Sequence, residues 1–197
     1  MSKVYLIGDT HFGHRNILKY RNQFKSIEEH DQTIIDNFNK VIKKRDSVYF
    51  MGDIAFTDEG FKLLEKLNDC KKTLILGNHD WQHFKGDKFE AFKYFDNVVA
   101  SMKKKGCWLT HIPIHPNELR GSYCIHAHTH NYNLEDLRYF NTSLENIDYT
   151  PIELEEVIQI LKDRNPEYEK IRQQYFEDRK SGKYQKDLIQ NSGNYND

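Results

Sequence analysis

The chain contains no apolar run approaching the ~20 residues that a bilayer-spanning helix requires, so no membrane association is expected. It has no excess of either charge. Acidic and basic residues nearly cancel, to a formal net charge of -1, so no global field draws the chain to nucleic acid or to an anionic surface. Cysteine is scarce. Cys70, Cys107 and Cys124 are odd in number and irregularly spaced, which argues against a disulfide framework and fits a reducing compartment. The opening Met1-Ser2-Lys3-Val4-Tyr5-Leu6-Ile7-Gly8 has neither the length nor the cleavage site of a signal peptide, and a cytoplasmic location is expected. No internal repeat is evident. Histidine, by contrast, is plentiful: ten in 197 residues, clustered among aspartate and asparagine.

That length suits one domain with a real core, expected over residues 1–164, followed by a charged tail over 165–197 that is helical at first and disordered from about Ser181. Val4–Ile7, Ser47–Met51 and Thr73–Leu76 are short apolar runs, each ending in glycine followed by a polar residue: Gly8-Asp9, Gly52-Asp53 and Gly77-Asn78. Between the first two, Ser26-Ile27-Glu28-Glu29 is a capping box, and Ile34, Ile35, Phe38, Val41 and Ile42 follow at helical spacing. Thr57 caps a second helix with Phe61, Leu64 and Leu67 inward. This β-α-β alternation predicts a mostly parallel sheet, with ligands bound at the carboxyl ends of its strands. Further on, Asn97–Met102 and Cys107–Thr110 read as a hairpin about Lys103–Gly106. Tyr123–Ala127 and Arg138–Leu144 read as strands. Thr150-Pro151-Ile152-Glu153 reads as a helix start, and Tyr168, Ile171 and Tyr175 as the apolar stripe of a last helix.

Polar residues gather where these strands end. Asp9-Thr10-His11, Asp53, Asn78-His79-Asp80, His111 and His128-Thr129-His130 follow successive strands. All offer oxygen or nitrogen donors and none is cysteine, which favours Mn, Fe, Zn, Ni or Mg over a structural thiolate zinc site. A lone aspartate at a strand end is usually a turn residue, and a lone buried histidine a satisfied core group. Eight such residues in order after successive strands are not explained that way.

The set Asp-x-His, Gly-Asp, Gly-Asn-His-Asp, a lone His and His-x-His resembles the calcineurin-like metallophosphoesterase superfamily over roughly residues 3–145. Phe12-Gly13-His14-Arg15-Asn16 is similar to a pattern of its small bacterial and phage members. The resemblance implies a four-layer α/β/β/α sandwich with a dinuclear site at the strand ends. Asp9, His11 and His130 would hold one divalent ion, and Asn78, His111 and His128 the other. Asp53 would bridge them, and His79, oriented by Asp80, would be the unligated catalytic histidine. Manganese is the first choice of metal. His14 or Arg15 would touch the substrate phosphate. The implied reaction is hydrolysis of a small phosphoester, with a nucleotide-like diester preferred over a monoester or a short nucleic-acid strand.

Physical chemistry supports two ions with an anion between them. Dications about 3.5–4 Å apart repel by roughly 17–19 kcal/mol at an effective dielectric of about 20, so a bridging carboxylate such as Asp53 is needed. With Asp9 ionised and a bridging hydroxide, the formal charge is about +1, suited to an anionic ester.

Some positions depart from the wider family. Ala127 stands where glycine usually precedes His-x-His, which is harmless if its φ is negative. Gly52-Asp53-Ile54-Ala55-Phe56 lacks the Asp-Arg-Gly of Ser/Thr protein phosphatases, and Asp80 replaces their glutamate, so that activity is not expected. His126 is read as a strand residue, His115 as part of a loop, Asn141-Thr142-Ser143 as structural, and Lys103–Lys105 as a solvated turn.

Overall fold

The computed structural model describes residues 2–81 and 91–181. The first strand, β1 (Val4–Ile7), pairs in parallel with β2 (Ser47–Phe50), β2 with β3 (Lys71–Ile75), and β3 with β4 (Asn97–Val99). A second sheet contains β5 (Ser101–Lys104), β6 (Cys107–Thr110), β7 (Tyr123–His126) and β8 (Tyr139–Asn141), with only the β5–β6 pair antiparallel. Parallel strands buried on both faces read as continuous apolar runs, which is why β1 and β2 were legible. An isolated parallel bridge, Gly8 to Ser143, ties the end of β1 to the segment after β8 and so joins the two sheets. The result is the expected mixed α/β fold with two sheets and helices.

The helices follow their local signals. Helix α1 (Ile27–Val41) is capped by Ser26 Oγ, which accepts from Glu29 N–H at 3.1 Å. The return bond of the capping box goes one residue further, from Lys25 N–H to Glu29 Oε2 at 2.7 Å. Its buried face is Ile27, His30, Asp31, Ile34, Ile35 and Phe38, so two polar residues share the stripe with the apolar ones. The short α2 (Asp58–Lys62) is capped by Thr57 and continues as a 3₁₀ turn over Leu63–Lys66. Side chains on a strand alternate between faces. Cys107, Leu109, Tyr123, Ile125 and Phe140 join the main core with β1, β2, β3 and α1, whereas Trp108, Cys124 and Tyr139 pack with Leu119, Ile114 and Leu134.

Three element expectations are corrected. Asn97–Met102 is not one strand: the chain passes from one sheet to the other at Ala100, pairing first with β3 and then with β6. The turn that follows is Lys105-Gly106, both with positive φ, as a two-residue hairpin loop matched to strand twist requires. Arg138–Leu144 is strand only over Tyr139–Asn141. Thr142 then bonds both sheets, donating its N–H to His126 O and accepting from Gly8 N–H, and Leu144 enters a 3₁₀ turn. Ile152-Glu153 is not a helix start but β9 (Ile152–Glu153), an edge strand antiparallel to β1, where Tyr5 and Leu6 would otherwise expose unpaired backbone. Helix α3 (Leu154–Arg164) begins after it.

Helix α4 (Pro166–Lys180) buries Tyr168 and Tyr175, but Ile171 of the expected stripe is exposed. The helix is tied to the second sheet: Tyr168 Oη donates to Ser122 O at 3.1 Å, Tyr123 Oη to Glu169 Oε2 at 2.9 Å, and Arg172 Nε to Gly121 O at 2.8 Å. The disorder expected further along concerns residues 182–197, outside the described residues.

Candidate metal centre

The polar residues that follow the strands converge. Asp9, His11 and His130 bring one donor atom each within 4.8 Å of one another, and so do Asp53, His111 and His128. Asn78 joins the second group, its Oδ1 lying 3.0 Å from His111 Nε2. The first sheet supplies Asp9, His11, Asp53 and Asn78 and the second supplies His111, His128 and His130, so the site exists only where the sheets meet. Backbone bonds splice the two groups: Asp9 N–H donates to Gly52 O, His11 N–H to Asp53 O, and His128 N–H to the Asp9 carboxylate at 2.8 Å.

Asp9, His11, Asp53, His128 and His130 all have positive φ, between 47° and 72°. Non-glycine residues seldom adopt this region, and a cluster of them marks a place where the fold imposes geometry at an energetic cost. Ala127 is not among them, so its β-carbon carries no such strain. It does consume space. A β-carbon on Gly8 would fall 2.6 Å from that of Ala127, so this chain keeps its glycine on the facing strand.

The donor atoms fit an ion. Asp9 Oδ1 and both ring nitrogens of His11 are buried without a hydrogen-bond partner, an arrangement that is costly unless something else satisfies them. Burial pushes the Asp9 carboxyl above the ordinary carboxylate range and holds the His11 imidazole well below its usual value. A neutral His11 keeps a lone pair for a ligand, and a bound dication would reverse the penalty on ionised Asp9. In the second group, burial opposes charge on both partners, but the carboxylate–imidazole contact outweighs it. His111 is pushed up to about 9 and Asp53 is held below its ordinary value. His111 Nδ1–H donates to Met51 O at 2.7 Å, which leaves Nε2 facing Asn78 and Asp53. Such a second bond orients a metal-binding imidazole.

Asp80 anchors the backbone of the site. Its carboxylate accepts backbone N–H bonds from Asp53 at 3.1 Å, Ile54 at 2.8 Å and Gly77 at 2.8 Å, clamping the loops that carry Asp53 and Asn78. Burial pushes its carboxyl up to about 6, with those amides resisting. His79 lies beside Asp53: its N–H donates to Asp53 Oδ1 at 2.9 Å, and Nε2 is 4.0 Å from Oδ2. Its ring is 4.6 Å from Phe56, which is 4.0 Å from His14 and 5.2 Å from His11. His14 is thus part of the cluster. Arg15 is not brought to it: its side chain is 84% exposed, 3.8 Å from Glu28 on α1.

His126 is a buried strand residue whose Nδ1–H donates to Ala127 O at 2.8 Å, and His115 caps a 3₁₀ turn by accepting from Asn117 N–H. Asn141 holds the His-x-His loop, its Nδ2 donating to Thr129 Oγ1 and to the carbonyls of His130 and Tyr132. Phe56, Arg21, His30, Asp31 and Glu145 were not singled out in the sequence. The last four form a buried network against the first ligand group. The only local signal was the spacing that places His30 and Asp31 on the buried face of α1.

Paired carboxylate–imidazole groups at the carboxyl ends of strands from two sheets form a donor set that could hold two divalent ions. The chain belongs to the calcineurin-like phosphoesterases, whose family model matches residues 2–189. It is 36% identical over 175 residues to the uncharacterized protein MJ1445 of Methanocaldococcus jannaschii, covering 82% of this chain and 93% of that protein. It is also 37% identical over 87 residues to the Gene 66 protein of Mycobacterium phage L5, covering 42% of each. Among solved structures, the protein of unknown function AQ665 from Aquifex aeolicus superposes with a TM-score of 0.63 at 27% identity, over 81% of this chain and all of that one. The family implies metal-dependent phosphoester hydrolysis at a dinuclear divalent site.

Proposed function

We propose that the protein is a phosphodiesterase acting on small, nucleotide-like esters with two divalent ions, manganese being the first choice. The observation that carries this reading is the pair of ligand groups with buried, unpartnered donors at Asp9 and His11. Asp9, His11 and His130 would hold one ion, Asn78, His111 and His128 the other, and Asp53 would lie between them. Bound dications supply Lewis acidity and bring the pKa of water from about 15.7 down towards 7.

The chain's own residues do the rest. Asp80 fixes the backbone beneath Asp53. His79, a third exposed and beside Asp53, would deliver a proton to the leaving oxygen. That proton matters most for a poor alkoxide leaving group, which favours a diester. The rings of His14, Phe56 and His79, packed at tilted angles, form one wall. Exposed Trp81, Ile112 and Tyr132 follow Asp80, His111 and His130 closely in sequence and would offer apolar contact to an aromatic group such as a nucleobase. The three free thiols, all buried, favour the cytoplasm as its location.

The test is His79→Ala assayed with Mn²⁺ on a cyclic nucleotide or dinucleotide, whose leaving group is a poor alkoxide, and on bis-p-nitrophenyl phosphate, whose leaving group needs little protonation. Turnover of the alkoxide-releasing diester should fall by about 10²- to 10⁴-fold, the usual worth of a general acid, with the p-nitrophenyl diester affected much less and metal content unchanged. Unchanged turnover of the alkoxide-releasing diester would remove His79 from this role. A wild-type protein inert on cyclic nucleotides, dinucleotides and monoesters alike would favour a binding scaffold.

A further inference from the structure

The largest fully buried side chain in the described protein is a cation, Arg21, with no exposed surface. A buried guanidinium is tolerated only when its donors are satisfied. Arg21 Nε donates to Glu145 Oε1 at 2.8 Å, one terminal nitrogen to the Asp9 backbone carbonyl at 2.7 Å, and the other to His30 Nε2 at 2.9 Å. Arginine can only donate, so His30 Nε2 must accept. The His30 proton therefore sits on Nδ1 and is donated to Asp31 Oδ1 at 2.8 Å, while Asp31 Oδ2 accepts from Gly13 N–H at 2.9 Å. At the other end, Glu145 Oε1 accepts a second bond, from His130 Nδ1–H at 2.9 Å.

One continuous chain thus runs from Gly13 through Asp31, His30, Arg21 and Glu145 to His130, and it touches the first ligand group at His130 and, through Arg21, at Asp9. Gly13 lies two residues beyond His11, and Arg21 grips Asp9 by its carbonyl. With Nδ1–H committed to Glu145, Nε2 is the His130 nitrogen that keeps a lone pair for an ion shared with Asp9 and His11. No comparable carboxylate–guanidinium pair is found at the Asp53, His111 and His128 group among the described residues. There, His111 is oriented by a neutral backbone carbonyl.

We propose that Arg21 and Glu145 are positioning residues that set the metal affinity of the Asp9/His11/His130 half of the centre, leaving the other half largely independent. Glu145 orients His130 and brings negative charge to it. Arg21 holds Glu145 in place and fixes the Asp9 backbone beside it. The inference rests on the two-ion reading of the site.

The test is metal titration of Glu145→Gln and Arg21→Gln, followed by calorimetry and by metal content after dialysis at fixed free Mn²⁺. Wild type should bind two ions. Loss of such an outer partner typically weakens a metal site by about 10- to 100-fold, so each variant should keep one ion at the wild-type affinity and bind the other that much more weakly. Melting each variant in EDTA separates this from a structural role, which would lower stability while leaving both affinities of the folded protein intact. The double variant Arg21→Gln/Glu145→Gln removes both buried charges and should fold at least as well as either single variant.

If no variant folds, the wild-type protein loaded with Zn²⁺ still decides the matter. ¹⁵N shifts of His130 should show Nδ1 protonated and Nε2 coordinated, and the reverse assignment overturns the proposal. Two ions bound by Glu145→Gln with unchanged affinities also overturn it. A wild-type protein that binds no second ion refutes instead the two-ion reading beneath it.

Discussion

Gly77→Ala should disable the site while sparing the fold. The φ of Gly77 is not in the left-handed region, so alanine's own backbone torsion is unstrained. Its β-carbon, however, would lie 2.2 Å from Asp53 Oδ1 and 2.4 Å from Asp53 N, where real β-carbons essentially never approach within 3.0 Å. The Asp53 carboxylate or the Gly77 backbone must therefore give way by about 0.8 Å. Asp80 opposes the movement, because its carboxylate holds Gly77 N–H and Asp53 N–H together. Functional constellations tolerate about 0.5 Å, and misplacement of about 1 Å costs on the order of 10²-fold in rate. The steric strain itself costs about 1–3 kcal/mol, less than the ~5–15 kcal/mol stability of a typical domain.

The assay is Mn²⁺-supplemented hydrolysis of bis-p-nitrophenyl phosphate per folded molecule, beside thermal melts. Leu161→Ala, in the buried face of α3, serves as the contrast. It should lose about 2–5 kcal/mol of stability yet keep turnover close to wild type. Gly77→Ala should show the opposite pattern. If it retains more than about a tenth of wild-type turnover, the geometric argument fails.

Metal removal should lower the melting temperature. Ions held at about a hundred times their dissociation constant stabilise by about 2.7 kcal/mol, or about 5–10 °C for a chain of this size, so melts in EDTA and in Mn²⁺ should differ by that much. Coincident melts would show that the buried donors at Asp9 and His11 hold no ion. Acid should weaken the fold through His126. Burial holds its imidazole at about 4 against 6.5 in the unfolded chain, so the stabilisation is complete above pH 6.5 and is lost as pH falls towards 4, by about 3 kcal/mol at most. Urea midpoints of His126→Gln should decline less steeply than wild type across that window, and an unchanged slope would assign the acid sensitivity to other groups.

The first sheet was legible because each of its early strands is a short apolar run closed by glycine, and because each helix carries its own cap at Ser26 or Thr57. The second half was less so. Asn97–Met102 reads as one apolar segment, and nothing local marks Ala100 as the point where the chain changes sheets. Thr150-Pro151-Ile152-Glu153 has the composition of a helix start, yet the open edge of β1 takes Ile152 and Glu153 as a strand. An edge of unpaired backbone is a tertiary fact, and it overrides a weak local preference.

The metal centre shows the same division. Sequence alone determined which residue types stand at the strand ends, because the spacing of polar residues after apolar runs is a local property. Those residues are the ones that converge. Only the tertiary structure decided how they are held. The resemblance made Asp80 a partner of His79, and nothing local marks the three backbone amides that burial brings to its carboxylate. Arg21 and Glu145 stand 124 positions apart and carry no mutual signal, yet they meet beside Asp9 and His130. A buried charge must find its counterpart wherever folding brings one within reach, and that choice is written in the packing of two sheets rather than in any local stretch of the chain.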